Sequence, residues 1–163
     1  MMKNTIRLFI FSIFLTACGV NPVSYYYEIT TGKELRQNAP VPGEYTGLKN
    51  PIEPDQYSLM SGESTFLEYC IFCHGEFGMG DGENAKDFYP RPPQIAHTSH
   101  MMADDYLFWR ISEGGEEFRT AMVAFKGRLS EKQRWDVINY VRTFMGPDGM
   151  MSGEMMSDGI MGD

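Results

Sequence analysis

Clusters of positive charge are missing from this chain: 14 Lys and Arg residues lie scattered among 22 Asp and Glu, for a formal net charge of -8 at pH 7. Phosphate backbones are gripped by grouped cations, so no nucleic-acid partner is expected. Cysteine is scarce as well, and its odd count of 3 does not suit a small domain stapled by disulfides. No apolar run approaches the roughly 20 residues that a membrane-spanning helix needs. Aromatic residues, by contrast, make up 13% of the chain, too many for a wholly disordered polymer. A length of 163 residues fits one modest domain and hardly allows two. Methionine is in excess at 13, and six of these fall at or after Met145.

The two ends do not read as parts of a core. Lys3 and Arg7 precede a ten-residue, mostly apolar run from Leu8 to Ala17, the pattern of a signal peptide. It ends in Leu15-Thr16-Ala17-Cys18, which resembles the lipobox of bacterial lipoproteins. That resemblance implies cleavage before Cys18, lipidation of its sulfur and acylation of the new amine. Two or more acyl chains hold a protein stably at a membrane where one does not. An ordinary secretory signal beside an incidental cysteine is the competing reading. Gly19 rather than Asp after the cysteine suits an outer membrane, so the expected location is the cell envelope, facing the periplasm. Residues 18–57 carry Pro22, Pro40, Pro42, Pro51 and Pro54 and read as a lipid-anchored, Pro-rich tether. Within it, Tyr25-Tyr26-Tyr27 suits either an interfacial contact or an arm packed on the domain. Residues 146–163 hold four acids, no base and five Met, an acidic tail expected to stay disordered. Thioethers suit Cu(I), which makes copper a conceivable ligand of that tail. A low-complexity tail without metal is the plainer reading.

Residues 58–145 are left as the folded domain, and there the sequence becomes specific. Cys70-Ile71-Phe72-Cys73-His74 is a C-x-x-C-H pentapeptide. In this motif two thiols add to the haem vinyl groups, and the adjacent imidazole binds iron from the same helical turn. A thioredoxin-like redox pair would need a βαβ context, and a zinc site would need ligands at spacings this chain lacks. One covalent haem c is the expected cofactor. It also resolves the odd cysteine count, with Cys18 for lipid and Cys70 and Cys73 for haem.

Helical signals surround the motif. Ser130-Glu131-Lys132-Gln133 is a capping box, followed by Val137, Tyr140, Val141 and Phe144 at helical spacing, with Gly146-Pro147 as a stop. Asp104 and Asp105 suit a helix start, Leu107 and Ile111 share a face, and Gly114-Gly115 ends the element. A third helix is expected around Phe66 to Cys73, with apolar positions at Phe66, Leu67, Cys70 and Ile71.

With these residues in order, the domain resembles the small bacterial class I cytochromes c. Gly62 and Phe66 stand eight and four residues ahead of Cys70, as in that family's first helix. Tyr140 matches the aromatic of its last helix, and Gly75 to Ile95 resembles the loop after the haem motif. The resemblance implies an all-α, cytochrome c-like bundle of three to five helices wrapped around one covalently bound haem. It further implies that His74 is one axial iron ligand and Met122, 48 residues on, the other. The family commonly has proline after this methionine, whereas here the sequence is Met122-Val123-Ala124-Phe125, so the loop lacks that source of rigidity. His97 and His100 are the rival ligands and would give bis-His iron at lower potential; otherwise they are surface loop histidines. The carbonyl of Pro93, or of Pro92, is implied as the acceptor that fixes the His74 tautomer.

The expected function is one-electron transfer without enzymatic turnover, between respiratory redox proteins or as a subunit of a larger redox complex. The acidic surface suits partners with a basic rim. An open sixth site would instead allow a peroxidase or gas sensor, and the tail an accessory role in copper handling.

Overall fold

The computed structural model describes residues 32–144. The expected signal peptide, Cys18 with the tether as far as residue 31, Met145 and the tail all lie outside the described residues. The chain divides into two compact units, one ending at Pro40 and the other beginning at Val41. In the first, residues 32–37 are helical, and the Asn38 side chain donates to the Glu34 carbonyl at 3.0 Å.

The second unit contains α1 (Gln56–Tyr69), the single turn α2 (Ile71–His74), α3 (Ile95–Met101), α4 (Asp104–Glu113) and α5 (Glu131–Val141). Short 3-10 turns lie at Ala85–Asp87 and Glu116–Phe118. The described residues contain no strand, and none of their helices is long and apolar enough to cross a membrane. The fold is all-helical, as expected. Each main helix starts for a local reason. Asp55 caps α1 by accepting the Ser58 N–H at 2.8 Å. Asp104 and Asp105 place negative charge in the first turn of α4, and Gly114 ends it at φ 73°. At α5 both halves of the capping box are made between Ser130 and Gln133. The helix ends at Val141, short of the Gly146-Pro147 stop, with turns following at residues 142 and 143.

The core is built where α1 crosses α5. A Cβ on Gly62 would lie 2.2 Å from the Asp136 carbonyl oxygen and 2.7 Å from Tyr140 Cβ, so only glycine permits this approach. Phe66, fully buried, then packs against Tyr140 and Phe144 with ring centroids 5.6 and 5.1 Å away. Val137 and Val141 complete the buried centre, and Cys70, Ile71, Ile95 and Ile111 close around it. The same crossing buries a polar network. Ser58 Oγ donates to the buried Asp136 carboxylate at 2.9 Å and receives the Asn139 amide at 3.0 Å. Lys132 reaches Asp136 from the solvent side at 2.9 Å. Between α4 and α5, Phe108 stacks on Trp135 at 3.8 Å and lies beneath the Arg134 guanidinium.

Residues 41–52, expected within the tether, belong to this second unit. Tyr45 is buried, Gly47 N–H donates to Asp105 and Asn50 N–H to Asp104, each at 2.9 Å. The Asn50 side chain donates to the Trp135 carbonyl and to Asn139 on α5. Composition suggested an extended spacer here, but specific side-chain bonds stitch the strap along α4 and α5. A second difference concerns His97 and His100, read from the sequence as loop residues. Both sit on α3, a helix too short to announce itself by periodicity.

Candidate functional site

Cys70 stands between α1 and α2, as the C-cap of the first and the N-cap of the second. Its N–H donates to the Phe66 carbonyl at 2.8 Å, while its own carbonyl accepts Cys73 N–H at 3.2 Å and His74 N–H at 2.9 Å. These bonds put Cys70, Cys73 and His74 on one turn, and Gly75 at φ 79° ends it. The chain then folds back under the turn. Gly80 N–H donates to the His74 carbonyl, and Asn84 N–H to the Phe72 carbonyl, both at 2.8 Å. At Gly80, with φ 74°, a Cβ would lie 2.4 Å from the Pro92 carbonyl oxygen; the loop can be this close only without a side chain. Ala96 N–H, donating to the Gly78 carbonyl at 3.1 Å, ties the start of α3 to the same loop.

This packing brings the Pro93 carbonyl oxygen to 3.4 Å from Nδ1 of His74. A carbonyl can only accept, so the contact favours the tautomer with its proton on Nδ1 and a free lone pair on Nε2. Burial holds the His74 pKa below the usual range, and the Pro93 carbonyl opposes this only in part. The ring is therefore neutral near pH 7, as a metal-binding imidazole must be. Burial pushes Cys70 up to about 12, with Cys73 adding to it, and burial raises Cys73 too. Cys70 and Cys73 form no disulfide with each other. A thioredoxin-like redox pair would sit in a βαβ context, and the described residues contain no strand. Nor do any three His, Cys, Asp or Glu side chains among the described residues converge as a metal site. Two thiols beside a neutral imidazole with its Nε2 free form a donor set that fits covalent haem.

The other candidates lie on other segments of the chain. Met122 is half-buried in the segment between α4 and α5, its carbonyl accepting Gly115 N–H at 2.8 Å. His97 is exposed on α3, and His100, exposed as well, places Nε2 3.0 Å from the Phe144 carbonyl. Of the remaining methionines, Met79 and Met101 are exposed and Met102 is half-buried. Of the residues that brace Met122's segment, Ser112, Glu113, Lys126 and Tyr45 were not singled out from the sequence. Phe125 N–H donates to the Ile111 and Ser112 carbonyls at 3.0 and 3.1 Å, and Lys126 N–H to Ser112 at 3.0 Å. Lys126 in turn contacts Glu113 and, across 81 positions of sequence, Tyr45.

An all-helical chain with C-x-x-C-H at the end of its first long helix, that helix crossed by its last, is a small class I monohaem c-type cytochrome. Its family is that of the cbb3-type cytochrome c oxidase subunit III, to which the chain belongs: the family model matches residues 58–141. Among solved structures, the chain is similar to a component of the reducing HAO-like protein complex of Kuenenia stuttgartiensis. That match has 25% identity, a TM-score of 0.50, and covers 61% of this chain and 48% of the other. It is also similar to cytochrome cL of the marine methylotrophic bacterium Methylophaga aminisulfidivorans, with 23% identity and a TM-score of 0.44, covering 59% and 57% of the two chains. The chain thus spans about half the length of these structures. No curated protein matches it. Haem c is the cofactor, and haem-based electron transfer is what membership of this family supports.

Proposed function

We propose that the chain is a lipid-anchored one-electron carrier whose haem iron is held between His74 and Met122. The contact between His74 Nδ1 and the Pro93 carbonyl carries the reading, because it orients the ring and leaves Nε2 to bind a metal. Bound haem supplies an iron that alternates between ferric and ferrous states. Cys70 and Cys73 hold the group covalently from one helical turn, and the Met122 thioether completes the His/Met pair typical of cytochromes c. Beside the motif, an open groove is lined by Phe72 and Phe77 and bordered by Glu76, Asp81 and Glu83. Exposed aromatics among acids suit a redox partner with a basic rim, and an association that weakens with salt. Cys18 tethers the domain to the envelope membrane on the periplasmic side. The family, and the membership of one similar chain in a complex, favour service as a subunit of a redox assembly.

The test is Met122→Ala in the full-length holoprotein, followed by absorption spectra and potentiometry. Loss of the thioether-to-iron band with a lower potential is expected. An unchanged spin state and potential would overturn the ligand assignment. Purification from detergent-solubilised membranes, with mass analysis of the N-terminus, tests the anchor. An unlipidated Cys18 would refute it.

A further inference from the structure

Met122 is followed by Val123 rather than by the proline that the family resemblance leads one to expect, yet its segment is braced from an unexpected direction. Tyr45, only 4% exposed, belongs to the turn that starts at Pro42, before the matched family region begins at residue 58. Its ring packs beside Phe108 with centroids 6.2 Å apart. Its hydroxyl donates to the Glu113 carboxylate at the end of α4 and lies 3.1 Å from Lys126 Nζ. Lys126 Nζ also donates to Glu113 at 3.0 Å and to Glu44 at 3.2 Å. Exposed ion pairs alone would contribute little. Here the buried phenol links them to a strap that is bonded independently to Asp104, Asp105 and Asn139. Lys126 is four residues beyond Met122, and its N–H is fixed to Ser112. The segment is therefore held at the Met122 and Phe125–Lys126 carbonyl and amide positions, and through the Lys126 side chain.

We propose that Tyr45, acting through Glu113 and Lys126, is a positioning residue that holds the Met122 loop closed against the iron, replacing the stiffness of the missing proline. The proposal rests on the reading of Met122 as the sixth ligand. An external ligand reaches ferric iron only when the methionine leaves, so its apparent affinity reports how firmly the loop is held. Cyanide binding to the ferric full-length holoprotein is the readout. Tyr45→Phe keeps the ring and removes the hydroxyl with its two part-buried hydrogen bonds, to Glu113 and from Lys126, so cyanide affinity should tighten about tenfold. Lys126→Met should act in the same direction. Val137→Ala, which destabilises the core crossing, should lower the melting temperature without tightening cyanide binding.

Met122→Ala is measured alongside. If it tightens cyanide binding and Tyr45→Phe and Lys126→Met do not, the positioning role is wrong and the ligand assignment survives. If Met122→Ala changes neither affinity nor spectrum, the ligand assignment fails and the positioning role falls with it. If Val137→Ala tightens cyanide binding as much as Tyr45→Phe, the effect is general destabilisation and the proposal is overturned.

Discussion

Substituting Gly62 by alanine tests the crossing on which the haem domain is built. The added methyl would meet the Asp136 carbonyl oxygen at 2.2 Å and Tyr140 Cβ at 2.7 Å. Ordinary contacts of this kind begin at 3.4 Å, so α1 and α5 must separate by roughly 1 Å to restore packing. The obstacle is helix backbone and the stem of a half-buried tyrosine, neither of which can swing aside. Alanine favours a helix over glycine by about 1 kcal/mol, which opposes the damage. Overpacking a well-filled core costs about 1–3 kcal/mol and more where the backbone must shift. The separation also loosens Phe66 against Tyr140 and Phe144, so a net loss of about 2 kcal/mol is expected. For a domain of about 100 residues that lowers the melting temperature by roughly 8–16 °C. Thermal unfolding of the oxidised holoprotein, followed by far-UV circular dichroism, measures it, and Gly62→Val should lose more than Gly62→Ala. A Gly62→Ala protein that melts at or above the parent temperature would refute the reasoning, since helix propensity would then outweigh the contact.

Three further predictions come from polar groups. Ser130→Ala removes the N-cap of α5 and should cost about 1 kcal/mol; an unmoved denaturant midpoint would count against it. Ser58→Ala takes one donor from the buried Asp136 carboxylate and should cost about 2 kcal/mol, more than a surface Ser→Ala change measured in the same assay. Burial raises the Asp104 pKa, but the Asn50 N–H and Arg142 outweigh it and hold the carboxyl below its usual range. With its folded pKa depressed, Asp104 contributes stability that is complete above the unfolded pKa of about 3.9 and is lost as pH falls through the folded value. Arg142→Leu should flatten the acid limb of a stability–pH profile. A limb as steep as the parent's would rule Asp104 out as its source.

The parts of the molecule legible in the sequence are those written in local or strongly constrained patterns. The C-x-x-C-H turn specifies its own geometry, the capping box at Ser130 names the start of α5, and the Gly62, Phe66 and Tyr140 set anticipates the crossing. The strap at residues 41–52 was hidden because its bonds join positions 54 to 89 residues apart. A Pro-rich composition describes only the local backbone. The α3 helix was hidden for a different reason. It is seven residues long, has no side-chain cap bond and offers only Ile95 and Ala96 as inward apolar positions at its start. The brace on Met122's segment needed three separated residues, Tyr45, Glu113 and Lys126, and no spacing rule connects them.

The two sides of the candidate haem site are supported unequally. Around His74 the restraints are backbone bonds and glycine contacts: Cys70 to His74, His74 to Gly80, Gly78 to Ala96, and Gly80 against Pro92. Such restraints are insensitive to salt and cannot be relaxed by a change of rotamer. Around Met122 the backbone is held at Gly115, Ile111 and Ser112, and the rest depends on Lys126 with Glu113 and Glu44. Those side chains are 50%, 41% and 64% exposed, where charge attraction is screened and each pair is weak. Burial of the Tyr45 ring is what gives the cluster a fixed point. On the proposed ligation, stress from heat, denaturant or salt must therefore free the methionine before the histidine. A domain whose thioether band disappears well below its helical melting transition would behave as this asymmetry requires. Simultaneous loss of both would mean that the Met122 side is as firmly held as the His74 side.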